Sequence, residues 1–428
     1  MRRKPLMGTD FRGIDLSGAD FYGSNLEGAD FSYTNLDDVT FDKADLAQTK
    51  WREHGWMRKC AFLIKSDVLC VVAGTKSGGV LTYQVNNGQQ EIVSLQNDVI
   101  NDLAGDRGGI YTASSDGWVG YIDKEGNLRN AYITRSGLQS ITYTRNESCV
   151  YVGADNQGIY RYNWNTGSRQ EIEVDQSLGT EVDTISDIHY YSDENHEDYV
   201  AYTLNNSRLL VLLKLTGVKK AEVVATGSVT GKYKFNDICF ADGMLVYSVV
   251  GKGIFGILVE EAVGDIQEWE LLDKHQELLP LAEAEAFSLS WANERKTLMV
   301  VAKNDNNKID IMYSIDLTSD NRAYTKIPLD WFFNNTNYSI TSDNLRGFSI
   351  SDDGEFAAFS GKYLALLKNM GGYYGLLGKP VETKISCKGA TIDGCSGMSN
   401  SLKKFLEKRG ALLKKNRNED QYDEQREF

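Results

Sequence analysis

Residues 9–51 read TDFRG-IDLSG-ADFYG-SNLEG-ADFSY-TNLDD-VTFDK-ADLAQ-TKW, an uninterrupted repeat of five residues. The third residue of each block is large and apolar, with phenylalanine and leucine in strict alternation: Phe11, Leu16, Phe21, Leu26, Phe31, Leu36, Phe41, Leu46 and then Trp51. A period of five matches neither the roughly 3.6-residue period of a helix nor the 2-residue period of a strand. It predicts a solenoid whose coils have sides of five residues.

The neighbours of these apolar residues identify the type of solenoid. A small or β-branched residue lies two positions earlier, and the residue between is Asp or Asn in seven of the eight repeats. The pattern resembles the A(D/N)LXX consensus of the pentapeptide-repeat family. This resemblance implies a short right-handed quadrilateral β-helix at 9–51, in which residues twenty apart stack. Phe would then stack on Phe, Leu would stack on Leu, and the Asp or Asn would point into water.

A longer repeat follows, in which four short apolar strands alternate with glycine-containing or Asp-containing turns. Its clearest copies are 68–95, 108–133 and 149–174. Seven units of about 45 residues match the length of propeller blades, so we predict a seven-bladed β-propeller at 57–378. The segment TASSDGWVGYID (112–123) resembles the WD-repeat family, although no unit carries a clean GH…WD pair.

The last unit of this repeat lacks its outermost strand. Propellers often close by borrowing a strand from the other terminus, and either MRKCAFLIKS (57–66) or YYGLLG (373–378) could complete the blade. The sequence leaves both alternatives open.

The period of five returns at TKISCKGATIDGCSGMS (383–399), and a short amphipathic helix capped by Ser399 or Asn400 follows. Open β edges are usually covered. We therefore hypothesise that 383–416 forms a returning coil and capping helix stacked on the first coils, so that the propeller interrupts the solenoid. The remaining predicted segments are an N-terminal arm at 1–8 and an acidic tail at 417–428.

The fold class is therefore all-β, with a short C-terminal helix. The net charge of −14 opposes general binding to a phosphate backbone, and no apolar run is long enough for a membrane span. The six scattered cysteines contain no CxxC pair, which favours a reduced, cytoplasmic protein. We expect another protein as the partner, with no membrane partner and nucleic acid disfavoured.

No pattern of catalytic, cofactor-binding or metal-binding residues emerges. The four histidines are scattered, and His189 lies in the apolar segment ISDIHYY, where strand packing is the expected role. Neither a phosphate-binding GxxxxGK[ST] loop nor a GxSxG nucleophile motif is present. We therefore predict no enzyme activity and no cofactor.

Two stretches are candidate partner-binding sites. WFFNNTNY (331–338) lies in a long linker between predicted blades, and long loops on rigid scaffolds often carry binding. It offers Trp331, Phe332 and Phe333, although core packing explains most propeller aromatics. The C-terminal helix carries the basic residues Lys403, Lys404, Lys408 and Arg409, which form either a solvated face or a contact for an acidic partner.

These features favour a non-catalytic protein-recognition scaffold, sensor or adaptor. Pentapeptide and WD-type repeats occur together in bacterial signalling and defence proteins, so the resemblance suggests an anti-phage defence component that acts with a separate effector. The resemblance to pentapeptide-repeat proteins also implies an alternative, a DNA mimic that modulates DNA gyrase, and the nine acidic and three basic residues of 9–50 suit such a mimic. Another alternative is an enzyme whose site lies in the propeller channel.

Overall fold

In the computed structural model the protein is all-β, with two short helices among the described residues. These are residues 1–413 except 52, 54, 95, 97, 107, 145–147, 157, 175–182, 207, 230–232, 251, 263–266, 271–275, 281–284, 304–307, 319–323, 334–335, 339–340, 342–343 and 383–384. The predicted acidic tail at 417–428 therefore lies outside the described residues. The chain divides into two compact units, Met1–His54 with Glu382–Phe428, and Gly55–Val381.

The first unit is a four-sided solenoid in which residues twenty apart form parallel bridges, such as Asp10 with Asp30 and Asn25 with Asp45. The coil begins earlier than the repeat pattern predicts. Pro5 bridges Asn25, and the N–H of Leu6 donates to the carbonyl of Asn25 at 2.8 Å. The predicted arm at 1–8 is therefore wrong, because Leu6 continues the alternation of Phe and Leu one step further towards the N-terminus.

The core of the solenoid consists of the predicted pure columns. Phe31 is completely buried, with its ring stacked between those of Phe11 at 5.1 Å and Trp51 at 4.9 Å. The rings of Phe21 and Phe41 stack at 5.5 Å in the next column. Rings in different columns meet edge to face, for example Phe31 and Phe41 at 5.4 Å. Each phenylalanine thus gains stacked and edge contacts, both of which are favourable aromatic geometries.

The C-terminal segment lies against these coils. Asn35, Thr40 and Asp45 form parallel bridges with Ser386, Thr391 and Ser396 respectively. The helix α2 (Asn400–Lys408) begins at Ser399, whose hydroxyl accepts the N–H of Leu402 at 3.1 Å. Leu406 of α2 is completely buried in the solenoid core. The returning coil and the helix therefore cover the sheet edges at one end of the solenoid.

Most strands of the second unit pair antiparallel in meander order. The first three sheets contain β1 (Met57–Lys65), β2 (Val68–Thr75), β3 (Gly79–Gln84), β4 (Gln90–Ser94), β5 (Ile100–Asp106), β6 (Gly109–Ser114), β7 (Trp118–Asp123), β8 (Leu128–Tyr132), β9 (Leu138–Tyr143), β10 (Cys149–Ala154), β11 (Ile159–Asn163) and β12 (Ser168–Glu171). The strands that follow are β13 (Glu173–Val174), β14 (Ile185–Ser192), β15 (Asp198–Leu204), β16 (Leu209–Leu215), β17 (Lys220–Ser228), β18 (Phe235–Ala241), β19 (Met244–Val249) and β20 (Gly253–Leu258).

The helix α1 (Val259–Ala262) comes next. The remaining strands are β21 (Gln267–Glu270), β22 (Gln276–Pro280), β23 (Glu285–Ala292), β24 (Thr297–Lys303), β25 (Ile311–Asp316), β26 (Tyr324–Asp330), β27 (Phe332–Phe333), β28 (Thr336–Asn337), β29 (Leu345–Ile350), β30 (Phe356–Gly361), β31 (Tyr363–Asn369), β32 (Tyr374–Leu376) and β33 (Val381–Glu382). Of the two predicted closing segments, 373–378 supplies β32, the outermost strand of the last meander.

The meanders form a closed, propeller-like ring. The first strand of each meander packs on the first strand of the next, in the order β1, β5, β9, β14, β18, β23 and β29, and β29 packs back on β1. Seven separate blades are not confirmed, because β26 pairs in parallel with β32 and joins the last two meanders into one nine-stranded sheet. The other main sheets described have four to six strands.

A register shift lies near the beginning of each inner strand. The pairing of β5 with β6 slips at Ile100/Asp102, that of β14 with β15 at Ile185/Asp187, and that of β18 with β19 between Phe235 and Ile238. Such bulges bend a strand and redirect its side chains. They therefore place one side chain per inner strand at equivalent points around the ring.

Candidate functional site

The candidate site is a cluster of charged side chains inside the ring, supplied by these bulges. Asp102 on β5, Asp187 on β14 and Asp237 on β18 are all buried, with 5–6% of each residue exposed. Lys59 on β1 extends its ammonium to within 3.6 Å of Asp237 Oδ1 and 3.9 Å of Asp187 Oδ1. His189 on β14 places Nε2 3.5 Å from Asp187 Oδ1.

Each buried carboxylate also binds the backbone of the next inner strand. Asp102 Oδ2 accepts the N–H of Ile141 on β9 at 2.9 Å. Asp187 Oδ2 accepts the N–H of Ile238 on β18 at 3.1 Å. Backbone groups that would otherwise be buried without a partner are thus satisfied between sheets, which is the usual requirement for buried polar groups.

Asp237 makes the same type of bond to β23 and adds a side-chain bond. Its Oδ2 accepts the N–H of Leu289 at 2.8 Å and the hydroxyl of Ser288 at 2.7 Å. The carboxylates therefore act as ties between consecutive sheets.

Burial and Lys59 set the protonation of the cluster. Burial raises the pKa of Asp102 to about 6 and that of Asp237 to about 6, against the attraction of Lys59. Burial would also raise the pKa of Asp187, but Lys59 and His189 together outweigh it and lower that pKa well below its ordinary value. Asp187 is therefore the carboxylate that stays ionised beside the Lys59 ammonium.

The pKa values of the two basic groups, Lys59 and His189, are both raised. Burial would lower the pKa of His189 and of Lys59, but the surrounding carboxylates, Asp187 foremost, outweigh it and raise both pKa values. Water still reaches about a third of each side chain, 32% for Lys59 and 33% for His189. The cluster is thus open to the interior of the ring, while its carboxylates are enclosed.

One group of residues in the described part of the chain has a geometry that could hold a metal ion. Ligand atoms of Asp187, His189 and Asp237 all lie within 4.8 Å of one another. Lys59 already supplies a positive charge beside both carboxylates. The negative charge of the carboxylates is therefore compensated by a side chain of the protein itself. The contact of Asp187 with His189 also provides a carboxylate–imidazole pair, which is suited to proton transfer.

This cluster is not predicted from the sequence, where strand packing is the expected role of His189. A signal was present, because Asp is followed by Leu or Ile at the same point of three inner strands: NDL at 101–103, SDI at 186–188 and NDI at 236–238. An Asp that recurs at the same point of several apolar strands indicates that the side chain at this point does not pack into the apolar core between the sheets. Lys59 had no comparable signal, since only the closure of the ring brings β1 near β14 and β18.

The predicted aromatic contact site is only partly accessible. Trp331 is 6% exposed, its indole N–H donates to the carbonyl of Ile309 at 2.7 Å, and its ring packs edge to face on Phe359 at 5.0 Å. The geometry assigns Trp331 to the core, which corrects its proposed contact role. Phe332 is 56% exposed, and the side chain of Phe333 lies outside the described part of the structure.

The basic residues of α2 have two kinds of environment. Lys404 and Lys408 are exposed and Lys403 is half-buried. The guanidinium of Arg409 forms two hydrogen bonds to the Glu53 carboxylate, at 2.5 and 2.7 Å, and lies over the ring of Phe405. Arg409 therefore has a structural role at the end of the helix, which corrects its assignment to a free basic surface.

The acidic surface of the solenoid is engaged in its own turns. Asp10, Asp15, Asp20 and Asp30 each use Oδ1 to accept the backbone N–H two residues later, at 2.9–3.0 Å. Arg12 and Arg2 form ion pairs with Asp10 and Asp20. These carboxylates shape the coil corners, so the pattern of Asp and Asn has a structural cause without DNA mimicry.

Comparison with known proteins agrees with both architectures. Residues 6–52 match the pentapeptide repeats in eight copies. The structure resembles "Structure of U3-55K" with a TM-score of 0.51, at 10% identity over 72% of this chain and 89% of that one. It resembles "Crystal structure of RRP9 WD40 repeats" with a TM-score of 0.50, at 10% identity over 72% and 88%. A search of curated proteins finds no match.

Proposed function

We propose that this protein is a non-catalytic scaffold or adaptor that recognises another protein. The observation that carries the proposal is the use of the channel carboxylates. Asp237 and Asp187 each bind the next inner strand and face Lys59. This charged cluster of the described residues therefore holds the ring together, and other surfaces of the rigid framework are left for binding.

The fold supports the same proposal at a general level. The WD40-repeat structures that it resembles share the propeller-like ring, and rigid all-β scaffolds present functional loops and surfaces. None of the helices in the described residues has the length and apolarity to cross a lipid bilayer. We propose action in the bacterial cytoplasm, as a sensor or adaptor in signalling or anti-phage defence that works with a separately encoded effector.

Co-purification of the full-length tagged protein from its native host tests this proposal. We expect one or a few proteins to be recovered in constant proportion to the bait, and chemical cross-links to map to the ring or the solenoid. The matched control is the same bait after thermal unfolding. Recovery of the same proteins by folded and unfolded bait, or of none by the folded bait, would contradict a recognition scaffold.

An enzyme with its site in the channel is the second candidate. It is favoured by the convergence of Asp187, His189 and Lys59 inside the ring, with a carboxylate–imidazole contact of 3.5 Å. A screen of the wild type against ester and phosphoester substrates, beside a His189→Gln variant, tests it. Turnover that is lost in the variant supports an enzyme, and equal rates in both proteins remove this candidate.

A further inference from the structure

A cavity of about 610 Å³ opens inside the ring, near the C-terminal ends of the inner strands. Phe62 of β1, Tyr143 of β9 and Trp291 of β23 contribute to its wall, together with Glu294, Asp352 and Asp353 from adjoining loops. The charged cluster described above lies near the beginnings of the inner strands. The cavity is therefore a separate feature, and its volume is in the usual range for ligand sites.

We propose that this cavity binds the cationic side chain of a basic segment of a partner protein, with Arg or Lys as the inserted residue. The inference rests on the proposed recognition function and identifies a surface and the chemistry of a partner for it. Its basis is the combination of a preformed cavity, a charge of a single sign and aromatic walls.

The charge of the cavity has one sign. Among the described residues that line it, every charged one is acidic: Glu294, Asp352 and Asp353. Asp352 is exposed, and its carboxylate has no partner in the described part of the chain. Carboxylates around a concave, low-dielectric surface focus a negative potential, which attracts and orients a cation. None of the described lining residues is basic, whereas Lys59 faces the carboxylates of the charged cluster.

The aromatic residues supply the second half of a cation site. Phe62, Tyr143 and Trp291 are half-buried, and each packs partly against a neighbouring core. Their remaining surface lines the cavity. A guanidinium or ammonium over an aromatic face gains about 0.5–2 kcal/mol, more when it is desolvated. Aromatic walls beside carboxylates therefore favour an organic cation over a hydrated metal ion.

The wall is held in place by hydrogen bonds between neighbouring elements and within one loop. The N–H of Ile350 on β29 donates to the hydroxyl of Ser290 on β23 at 3.1 Å. The N–H of Glu294 donates to the carbonyl of Asp352 at 3.0 Å. Asp353 Oδ1 accepts the hydroxyl of Ser351 at 2.6 Å. A preformed cavity loses little conformational entropy on binding, which favours even a short peptide segment.

The occupant follows from charge complementarity. A nucleic acid would bring phosphates to a cavity that already carries only negative charge, so it is disfavoured. A basic protein segment brings the opposite charge, and the net charge of −14 on the whole chain would steer it at long range. Attraction of this kind weakens as salt rises.

The test uses the full-length protein and a fluorescent glycine–serine peptide with a central Arg-Arg pair, followed by anisotropy at low and physiological salt. A peptide with Glu-Glu in the same place and a labelled oligonucleotide are the comparison probes. We expect saturable binding of the arginine peptide only. Charge reversal by Asp352→Lys is expected to weaken this binding at least tenfold. The matched control Glu222→Lys reverses an exposed charge on β17, away from the cavity, and is expected to leave binding within twofold.

Each outcome decides the inference. Equal weakening of peptide binding by both variants would indicate general electrostatic attraction and would overturn the proposal that the cavity is the binding site. Binding of the oligonucleotide, or absence of peptide binding, would overturn it as well. If the native host still yields a partner that Asp352→Lys retains at full strength, the cavity inference fails while the recognition scaffold stands. If neither a host partner nor the arginine peptide binds, both proposals fail. Circular dichroism and thermal unfolding of Asp352→Lys separate loss of binding from loss of folding.

Discussion

The carboxylate of Asp237 on β18 accepts a 2.8 Å hydrogen bond from the backbone N–H of Leu289 on β23, and so joins two consecutive sheets of the ring. The same oxygen accepts the hydroxyl of Ser288 at 2.7 Å. All three residues are 6% exposed, so the two hydrogen bonds are shielded from water. The bond is one of three similar ties, made by a charged residue at the bulge of an inner strand.

Removal of this acceptor should destabilise the ring. Asp237→Ala leaves the N–H of Leu289 and the hydroxyl of Ser288 buried without a partner, and each such loss costs about 1–3 kcal/mol. Denaturant unfolding of the full chain would show this cost. Asp237→Asn keeps a carbonyl acceptor and is the control, with a smaller expected loss. An alanine variant as stable as the wild type would disprove the structural role.

The raised pKa of Asp102 predicts a pH dependence. Asp102 is buried and its pKa is raised to about 6, so between pH 4 and 6 the folded state holds a proton that the unfolded state has lost. Its contribution to the free energy of unfolding must therefore fall as pH rises through this window. The loss is up to about 3 kcal/mol, since one pKa unit corresponds to about 1.4 kcal/mol.

The variant Asp102→Asn isolates this effect from the other titrating groups. We expect the stability of the wild type relative to Asp102→Asn to decrease from pH 4 to pH 7 and to be level on either side of that window. Chemical unfolding at a series of pH values measures the difference. A difference that is constant across the window, or that increases with pH, would contradict the raised pKa.

Closure of the ring depends on a glycine. A Cβ atom added to Gly347 on β29 would lie 2.8 Å from the carbonyl oxygen of Arg58 and 2.8 Å from the Cα of Lys59, both in the β1 backbone. We expect Gly347→Ala to cost about 1–3 kcal/mol, as is typical of overpacking. The control Gly217→Ala has open space around the new atom and should change the midpoint of thermal unfolding little. Equal midpoints for the two variants would contradict this account.

The aromatic column should dominate the stability of the solenoid. Phe31→Ala removes a completely buried ring that contacts Phe11 and Trp51 on either side, and such truncations cost about 3–5 kcal/mol. Urea unfolding monitored by fluorescence would detect this loss. The exposed Ile14 (47%) provides the control Ile14→Ala, which is expected to lie within about 0.5 kcal/mol of the wild type.

The basic residues of α2 should separate into structural and surface groups. Arg409→Ala removes two hydrogen bonds to the Glu53 carboxylate, and bonds to charged groups contribute about 1.5–3 kcal/mol each before losses from partial exposure. We expect a loss of about 1–2 kcal/mol, and a smaller one for Arg409→Lys. Lys404→Ala alters an exposed side chain and should leave the unfolding curve unchanged. The reverse order of effects would restore Arg409 to the candidate partner surface.

Periodicity predicted the solenoid with good accuracy because its core consists of local repetition. Residues twenty apart stack as soon as each side contains five residues, so Phe31 must meet Phe11 and Trp51. The start of the coil is not predicted because Lys4 and Pro5 occupy the positions of the small residue and of the Asp in the consensus, although Leu6 keeps the apolar register. Strand alternation likewise indicated a propeller-like ring but not the pairing of β26 with β32.

The sequence alone determined which residues turn inward within a coil or a strand, because that choice depends on spacing along the chain and on burial of apolar surface. Tertiary structure alone decided which charged residues meet. Lys59 is 128 positions from Asp187 and 178 from Asp237, and ring closure brings them within 4 Å. The cavity lined by Phe62, Trp291 and Asp352 arises in the same way, because its electrostatic character depends on distances in space that the order of the residues does not encode.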